Sequence, residues 1–382
     1  MNSSALRSVP KNNELVHRDG LTVLISGAGI AGATLAALLS RAGHRVTVVE
    51  RDQGVRSSGN PVDVRKGAYQ VAERLGVMSR LQDAATKVRE LIFVDNAGRR
   101  VASMRTQQSD REVEVPRADL SAILIEAGDR DAEFLFDEMI TELYADDGGV
   151  EVIFDRAAPR RFDLVVGADG IYSGVRRLAF GPEADFVEPL GMYVATAALG
   201  VPLERDDLVI MHNEPGTAVA LHPGTGVSGV AFMFRSEGRI DHRDPDARRQ
   251  LLQQAYANVG WRAQELLSAY LVADDVYFDS VSRIRVPSWS SGRITLLGDA
   301  ASCVSLFGDG SSSAMEGAAT LAAALGESPH DIPAALARYE SAHRAATHSR
   351  QRGVWIVSHL LIPRSRLGIT LRDRALRLVG RR

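Results

Sequence analysis

The chain has 382 residues, of which 45% are hydrophobic and 24% charged, the proportions of a folded globular protein and not of a disordered one. Forty-five basic against 48 acidic residues leave a net charge of -3, so no global attraction draws it to nucleic acid or holds it stably on an anionic membrane. The single Cys303 cannot form an intrachain disulfide, and nine scattered His give no zinc-ligand spacing, which points to a reducing cytoplasm and to no metal.

In chain order, residues 1–20 are polar and lack the apolar run of a signal peptide, so they read as a short disordered leader. Leu21–Ser26 is an apolar run that predicts a strand. A glycine cluster follows, and Ala33–Ala42 predicts a helix stopped by Gly43. Arg45–Glu50 closes a βαβ unit. Leu91–Val94 and Val101–Met104 flank Asp95-Asn96-Ala97-Gly98 as a hairpin. Phe162–Ala168 and Ile294–Asp299 are continuous apolar runs of the kind buried on both faces of a parallel sheet. Leu208–Phe234 reads as antiparallel strands, with turns at Glu214-Pro215-Gly216 and Pro223-Gly224-Thr225-Gly226. From Asp331 onward the spacing of Ile332, Leu336 and Tyr339 predicts helix. Val354–Ile362 is far short of the roughly 20 apolar residues of a spanning helix.

These elements predict an α/β fold in which a doubly wound, Rossmann-like cofactor domain is assembled from discontinuous pieces, residues 21–70, 117–180 and 281–328. An antiparallel-sheet substrate domain, residues 71–116 and 181–280, is inserted between them. Residues 329–382 form a C-terminal helical segment that bridges the two. It holds ten Arg between 344 and 382, for which a solvated or domain-bridging helix is the expected form.

Gly27-Ala28-Gly29-Ile30-Ala31-Gly32 lies between a predicted strand and a predicted helix, the context that turns GxGxxG into a dinucleotide signature. Gly27 permits the tight turn, Gly29 lets backbone approach a pyrophosphate at the helix N-terminus, and Gly32 allows close helix–strand packing. With Ala31 they are the candidate cofactor contacts of this turn. Glu50 ends the second strand where it can accept hydrogen bonds from an unphosphorylated ribose. Asp169-Gly170 and Gly298-Asp299 end the two other buried strands, where a carboxylate can accept from a polyol such as a ribityl chain, which favours a flavin over a nicotinamide dinucleotide. An Asx-turn or helix cap is the alternative for Asp169. After Asp299, Gly308-Asp309-Gly310-Ser311-Ser312 leads into a helix whose N-terminal amides can approach a ring system and stabilise negative charge on it.

The three motifs in this order resemble the single-component FAD-dependent aromatic hydroxylases. The segments SSGNPVDVRKGAYQVAERLGV and VPRADLSAIL are most similar to the branch of tetracycline-inactivating and polyketide-modifying monooxygenases. The resemblance spans roughly residues 21–380. It implies non-covalent FAD, with Glu50 on the adenosine ribose, Asp299 on the ribityl chain, and Arg51, Arg65 and Arg117 approaching the cofactor. It also implies NADPH or NADH as a transient reductant and molecular oxygen as co-substrate. The expected reaction is hydroxylation of a small aromatic, phenolic polycyclic substrate through a flavin C4a-hydroperoxide, by a monomer or weak homodimer.

His212 and His222 fall in the antiparallel segment and are the candidates to deprotonate a phenol, with a structural histidine as the alternative for each. Ser302 and Gly308-Asp309-Gly310 stand where many members carry His or an aromatic residue and Gly-Gln-Gly, so Asp309 is a candidate for tuning the flavin by its charge. The alternative within the same fold is another flavin oxidoreductase, a halogenase or a saturating reductase, and a halogenase would carry a lysine near the substrate and a WxWxIP run. Here Trp261, Trp289 and Trp355 are isolated and no lysine follows Lys87. A non-catalytic flavin-binding partner or sensor is the alternative from another class.

Overall fold

The computed structural model describes residues 20–379 apart from 55–60, 106–108, 129–130, 201–202, 225–227, 239, 242–243, 304–309 and 329. The apolar run at the start of the chain becomes β1 (Thr22–Ser26), the central strand of a six-stranded sheet. On one side lie β2 (Arg45–Glu50) and β7 (Ala132–Phe136), on the other β11 (Leu164–Gly167) and β18 (Ile294–Leu296). These five strands are parallel, and the two-residue β17 (Ser290–Ser291) adds an antiparallel edge. Val23, Leu24, Ile25, Val165 and Val166 are fully buried, as the continuous apolar runs require of strands covered on both faces. The covering helices are α1 (Ile30–Arg41), α4 (Arg117–Gly128), the short α5 (Gly174–Ala179) and α8 (Gly310–Glu327).

Two smaller sheets attach to this domain. A meander of β8 (Ile140–Asp146), β9 (Gly149–Phe154) and β10 (Arg160–Phe162) fills the chain between β7 and β11. A ribbon of β3 (Val62–Arg65) and β6 (Glu112–Val115) pairs antiparallel, with α2 (Gly67–Arg74) and α3 (Met78–Asp83) beside it.

The inserted sheet has seven strands in the order β16 (Val276–Ile284), β12 (Val187–Ala198), β15 (Gly229–Arg235), β14 (Thr217–His222), β13 (Leu208–Glu214), β4 (Glu90–Val94) and β5 (Arg100–Arg105). The expected hairpin is β4–β5, and β13 to β15 are the expected antiparallel run. One correction concerns direction, because β4 and β13 pair in parallel. They come from distant chain segments, so no turn sets their relative sense.

Strand alternation gives this sheet two different faces. Val219, Phe232 and Phe278 lie on the face packed by α6 (Pro245–Tyr256) and α7 (Ala263–Leu271). Met211, Ala220, Met233 and Val281 lie on the other. That second face looks toward the cofactor domain, since Asp279 on β16 accepts from Tyr172 in the loop after β11.

The C-terminal segment spans both domains, as two helices. Asp331 caps α9 (Ile332–Leu361) by accepting from the Ala334 amide at 3.0 Å. Ile332, Leu336 and Tyr339 are buried in the cofactor-domain core, and the Tyr339 hydroxyl donates to the Leu296 carbonyl at 3.0 Å. At 1.5 Å per residue this helix is about 45 Å long, and just past its far end Ile362 is buried against the seven-stranded sheet. There Arg235 donates to the Ile362 and Ser358 carbonyls, each at 3.0 Å. After Pro363, α10 (Arg366–Val379) runs along β5. Among the described residues no helix is long and apolar enough to cross a membrane.

Candidate functional site

The glycine turn after β1 is shaped by contact with the neighbouring strand. Gly27 has φ +104°, and a Cβ there would lie 2.6 Å from the Ala168 carbonyl oxygen. At Gly32 a Cβ would come within 1.9 Å of the Gly27 carbonyl oxygen, which makes it a packing glycine. Gly29 differs, because nothing lies within 4 Å of the position its Cβ would take. The N-terminus of α1 is thus bare backbone with its dipole pointing outward. At Gly310, where α8 begins, likewise nothing among the described residues lies within 4 Å of the position a Cβ would take. Between them the Gly298 turn, φ +61°, would bring a Cβ to 2.9 Å from Ala31, so Ala31 is pressed on the loop of residues 298–301, the GDAA loop.

Charged groups surround these two helix starts. Glu50 accepts from the Ala28 amide at 2.9 Å and the Asp52 amide at 3.1 Å, one on each carboxylate oxygen. Each oxygen keeps a second lone pair for a hydroxyl group. Arg51 is exposed beside it, and Arg117 is exposed at the start of α4. Asp299 hydrogen-bonds the buried Cys303 thiol, which burial and then the Asp299 charge push well above the ordinary thiol range. Arg117 and Asp299 both also act on Tyr277, whose phenol burial raises well above its ordinary value.

Asp169 is used differently from a free polyol acceptor. Its Oδ2 accepts from the Gly174 and Val175 amides at 2.8 and 3.1 Å, and its Oδ1 from the Ser173 hydroxyl. It therefore organises the start of α5, the cap-like alternative of the sequence reading.

The β3–β6 ribbon ties the α8 terminus down. The hydroxyls of Ser311 and Ser312 donate to the Asp63 carbonyl at 2.8 and 2.9 Å, and the Arg65 amide donates to Ser312 Oγ at 3.1 Å. Arg65 lies 3.5 Å from Glu112 and 3.9 Å from Asp63. Burial raises the Asp63 carboxyl, against the pull of Arg65 and with help from the facing Glu114 and Glu112 carboxylates.

The two histidines part company. His212 is a correction: alternation puts it on the α6–α7 face, where it is 2% exposed and its ring lies 5.9 Å from that of Trp261. Its Nδ1 is 3.0 Å from the Val94 carbonyl. His222 has the opposite parity and faces the cofactor side. Its Nδ1 accepts from the Gly224 amide at 3.1 Å, leaving Nε2–H to donate to Glu114 at 2.9 Å. Gly308 and Asp309 lie outside the described residues.

Sequence reasoning missed several groups. Asp279 accepts from the Tyr172 hydroxyl at 2.5 Å, the Tyr277 hydroxyl at 3.1 Å and the Ser280 amide at 2.7 Å. Arg176, 1% exposed, donates to the Ala300 carbonyl at 2.9 Å and to the Ile171 carbonyl, lacing the GDAA loop to the Asp169 loop. Asp63 sits inside the quoted segment SSGNPVDVRKGAYQVAERLGV, so its location was available, and Arg176 follows Asp169-Gly170 by a few residues. Asp279 carries no local signal, because its partners are remote in sequence.

Two glycine-led helix N-termini flanking a glycine turn, with an acid at the end of β2 and another in the loop after β18, fit an extended dinucleotide that carries a polyol and a ring system. The chain belongs to the FAD binding domain family, which it matches over residues 20–350, and it is an FAD-dependent monooxygenase. A flavin-dependent monooxygenase of Legionella longbeachae is 30% identical, with 90% of each chain covered. An uncharacterized protein of Mycobacterium tuberculosis is 38% identical over 88% of this chain and 92% of its own. Among solved structures, the tetracycline destructase Tet(55) superposes with a TM-score of 0.83 at 30% identity, covering 94% of this chain and 95% of that one.

Proposed function

We propose that this monooxygenase hydroxylates an aromatic, phenolic polycyclic small molecule of polyketide type. Molecular oxygen is the co-substrate and NADPH or NADH the transient reductant. The observation that carries the proposal is the cofactor-facing side of the inserted sheet. It is apolar and built from small and flexible side chains, Ala218, Ala220, Ala231, Met211 and Met233, buried in one cluster with Ile362, and side chains of this kind suit contact with a flat, largely apolar ligand. The likeness to a tetracycline destructase supports the same substrate class.

Bound FAD supplies two-electron transfer from the nicotinamide and the activation of oxygen. The chain's own residues hold and shield it. Glu50 would take the adenosine ribose, the α1 N-terminus at Gly29 the pyrophosphate, and Asp299 the ribityl chain, with Arg51 and Arg117 alongside. The α8 N-terminus at Gly310, Ser311 and Ser312 would lie toward the ring system, where its dipole would favour negative charge. Arg65 and Asp63 fix that terminus from the ribbon. His222 is the histidine on the substrate side, and releasing the Gly224 amide would free Nδ1 to accept a phenolic proton.

The test uses the purified full chain. It should carry FAD that is released on denaturation, oxidise NADPH or NADH slowly alone, and accelerate with phenolic polycyclic compounds to give a product heavier by one oxygen. Hydrogen peroxide as the sole product across a broad panel would overturn the proposal.

A further inference from the structure

Helix α10 is docked on one side and carries leucines on the other. At about 100° per residue, Ile369, Arg372, Asp373 and Leu376 share one side. That side is docked, with Arg372 and Asp373 buried and Leu376 packed in the cluster that holds Leu91 and Phe93. Arg372 pairs with Asp373 at 2.8 Å and lies 3.9 Å over the Phe93 ring. A helix that only covers a sheet edge should be polar on the opposite side. Here the opposite side carries Leu367, Leu371 and Leu378, which are 68%, 56% and 68% exposed. Spacings of four and seven residues keep the three in one stripe. Leu360, at the end of α9, is 50% exposed.

The charge around the stripe is one-sided. Residues 364–382 hold seven Arg and one acid, a net +6 in a chain whose total is -3, which leaves -9 for the rest. Arg364, Arg366, Arg374 and Arg377 are exposed around the leucines. Arg372, the remaining arginine within α10, is neutralised by Asp373.

We propose that α10 is an interfacial membrane anchor that lays its leucine stripe into the surface of an anionic phospholipid bilayer while the flanking arginines meet lipid phosphates. Outward leucines rimmed by arginine on an amphipathic helix are the pattern of a helix lying in the headgroup plane. A second copy of the chain is a poorer occupant, because two-fold pairing would set +6 against +6. A nucleic acid would engage the arginines but give the leucines nothing to bury against. The association is reversible and peripheral, a refinement of the expectation drawn from net charge, which averages this patch away.

The FAD-loaded full chain is floated with vesicles of phosphatidylcholine alone and of phosphatidylcholine with an equal part of phosphatidylglycerol. We expect flotation with the anionic vesicles only, weakened by salt. Leu367→Ser/Leu371→Ser/Leu378→Ser should lower the bound fraction about tenfold or more, with FAD content and melting temperature unchanged. Arg366→Glu/Arg374→Glu should do the same and serves if the leucine variant folds poorly. No flotation of the wild type, or undiminished flotation of a folded variant, overturns the proposal. So does light scattering that shows a leucine-dependent dimer without vesicle binding, or binding to duplex DNA that both the wild type and the leucine variant share.

Discussion

The Tyr172 hydroxyl donates to the Asp279 carboxylate at 2.5 Å, joining the loop after β11 to strand β16 of the other sheet. The bond is partly buried and charge-assisted, and it ties the seven-stranded sheet to the domain built on the parallel sheet. Removing one partner leaves the other without its match. We expect Asp279→Ala to destabilise the protein by about 1.5–3 kcal/mol and Tyr172→Phe by about 1–2 kcal/mol. A double-mutant cycle in urea should return a coupling of about 1 kcal/mol, and additive effects would show that the two groups do not act together.

Gly29 and Gly32 stand three residues apart and should respond in opposite ways. Gly29→Val places its side chain in open space at the α1 terminus, so the fold should persist while FAD affinity falls by about tenfold or more. Gly32→Ala drives a Cβ into the Gly27 carbonyl and should cost folding itself. Circular dichroism and FAD titration of both variants separate the outcomes.

Glu50→Gln and Asp299→Asn keep size and remove charge. Each hydrogen bond is worth about 0.5–1.5 kcal/mol, so FAD should bind several-fold more weakly in each variant. Fluorescence titration measures this, and unchanged affinity in both would refute their assignment to the cofactor.

Glu138 predicts an acid dependence. Burial pushes its carboxyl up, but hydrogen bonds from the Met139, Ala157, Arg156 and Asp155 amides outweigh this and hold it below the ordinary glutamate value of 4.5. A depressed acid stabilises the fold above its unfolded pKa, and that contribution is lost as pH falls through the folded value. We expect wild type to be more stable than Glu138→Gln at neutral pH and the gap to close on acidification below about 4.5. Its backbone amide donates to the Glu50 carbonyl at 3.0 Å, which places it beside the end of β2. Urea unfolding across that pH range measures the gap, and a constant gap would contradict the assignment.

The histidines give a paired test. His222→Gln should lower kcat on a phenolic substrate with little change in FAD affinity. His212→Gln should leave kcat near wild type and lower stability, since the ring is buried against Trp261 on the far face. Equal loss of kcat in both variants would count against this division.

The cofactor half of the site was legible in the sequence because its signals are local. A strand, a glycine turn, a helix and a terminal acid follow one another within thirty residues, and backbone sterics at Gly27 and Gly32 demand glycine whatever lies beyond. The βαβ unit, the β4–β5 hairpin and the bridging C-terminal helix were likewise written in periodicity and turn residues. What only the tertiary structure decided depends on pairing between remote segments. Strand parity against a distant helix pair sent His212 to the back of the sheet and His222 to the front. The parallel match of β4 with β13 and the Tyr172–Asp279 bond join residues more than 100 positions apart. The exposed stripe on α10 emerged in the same way, because composition shows that leucine and arginine share a helix, whereas only docking shows which side is already covered.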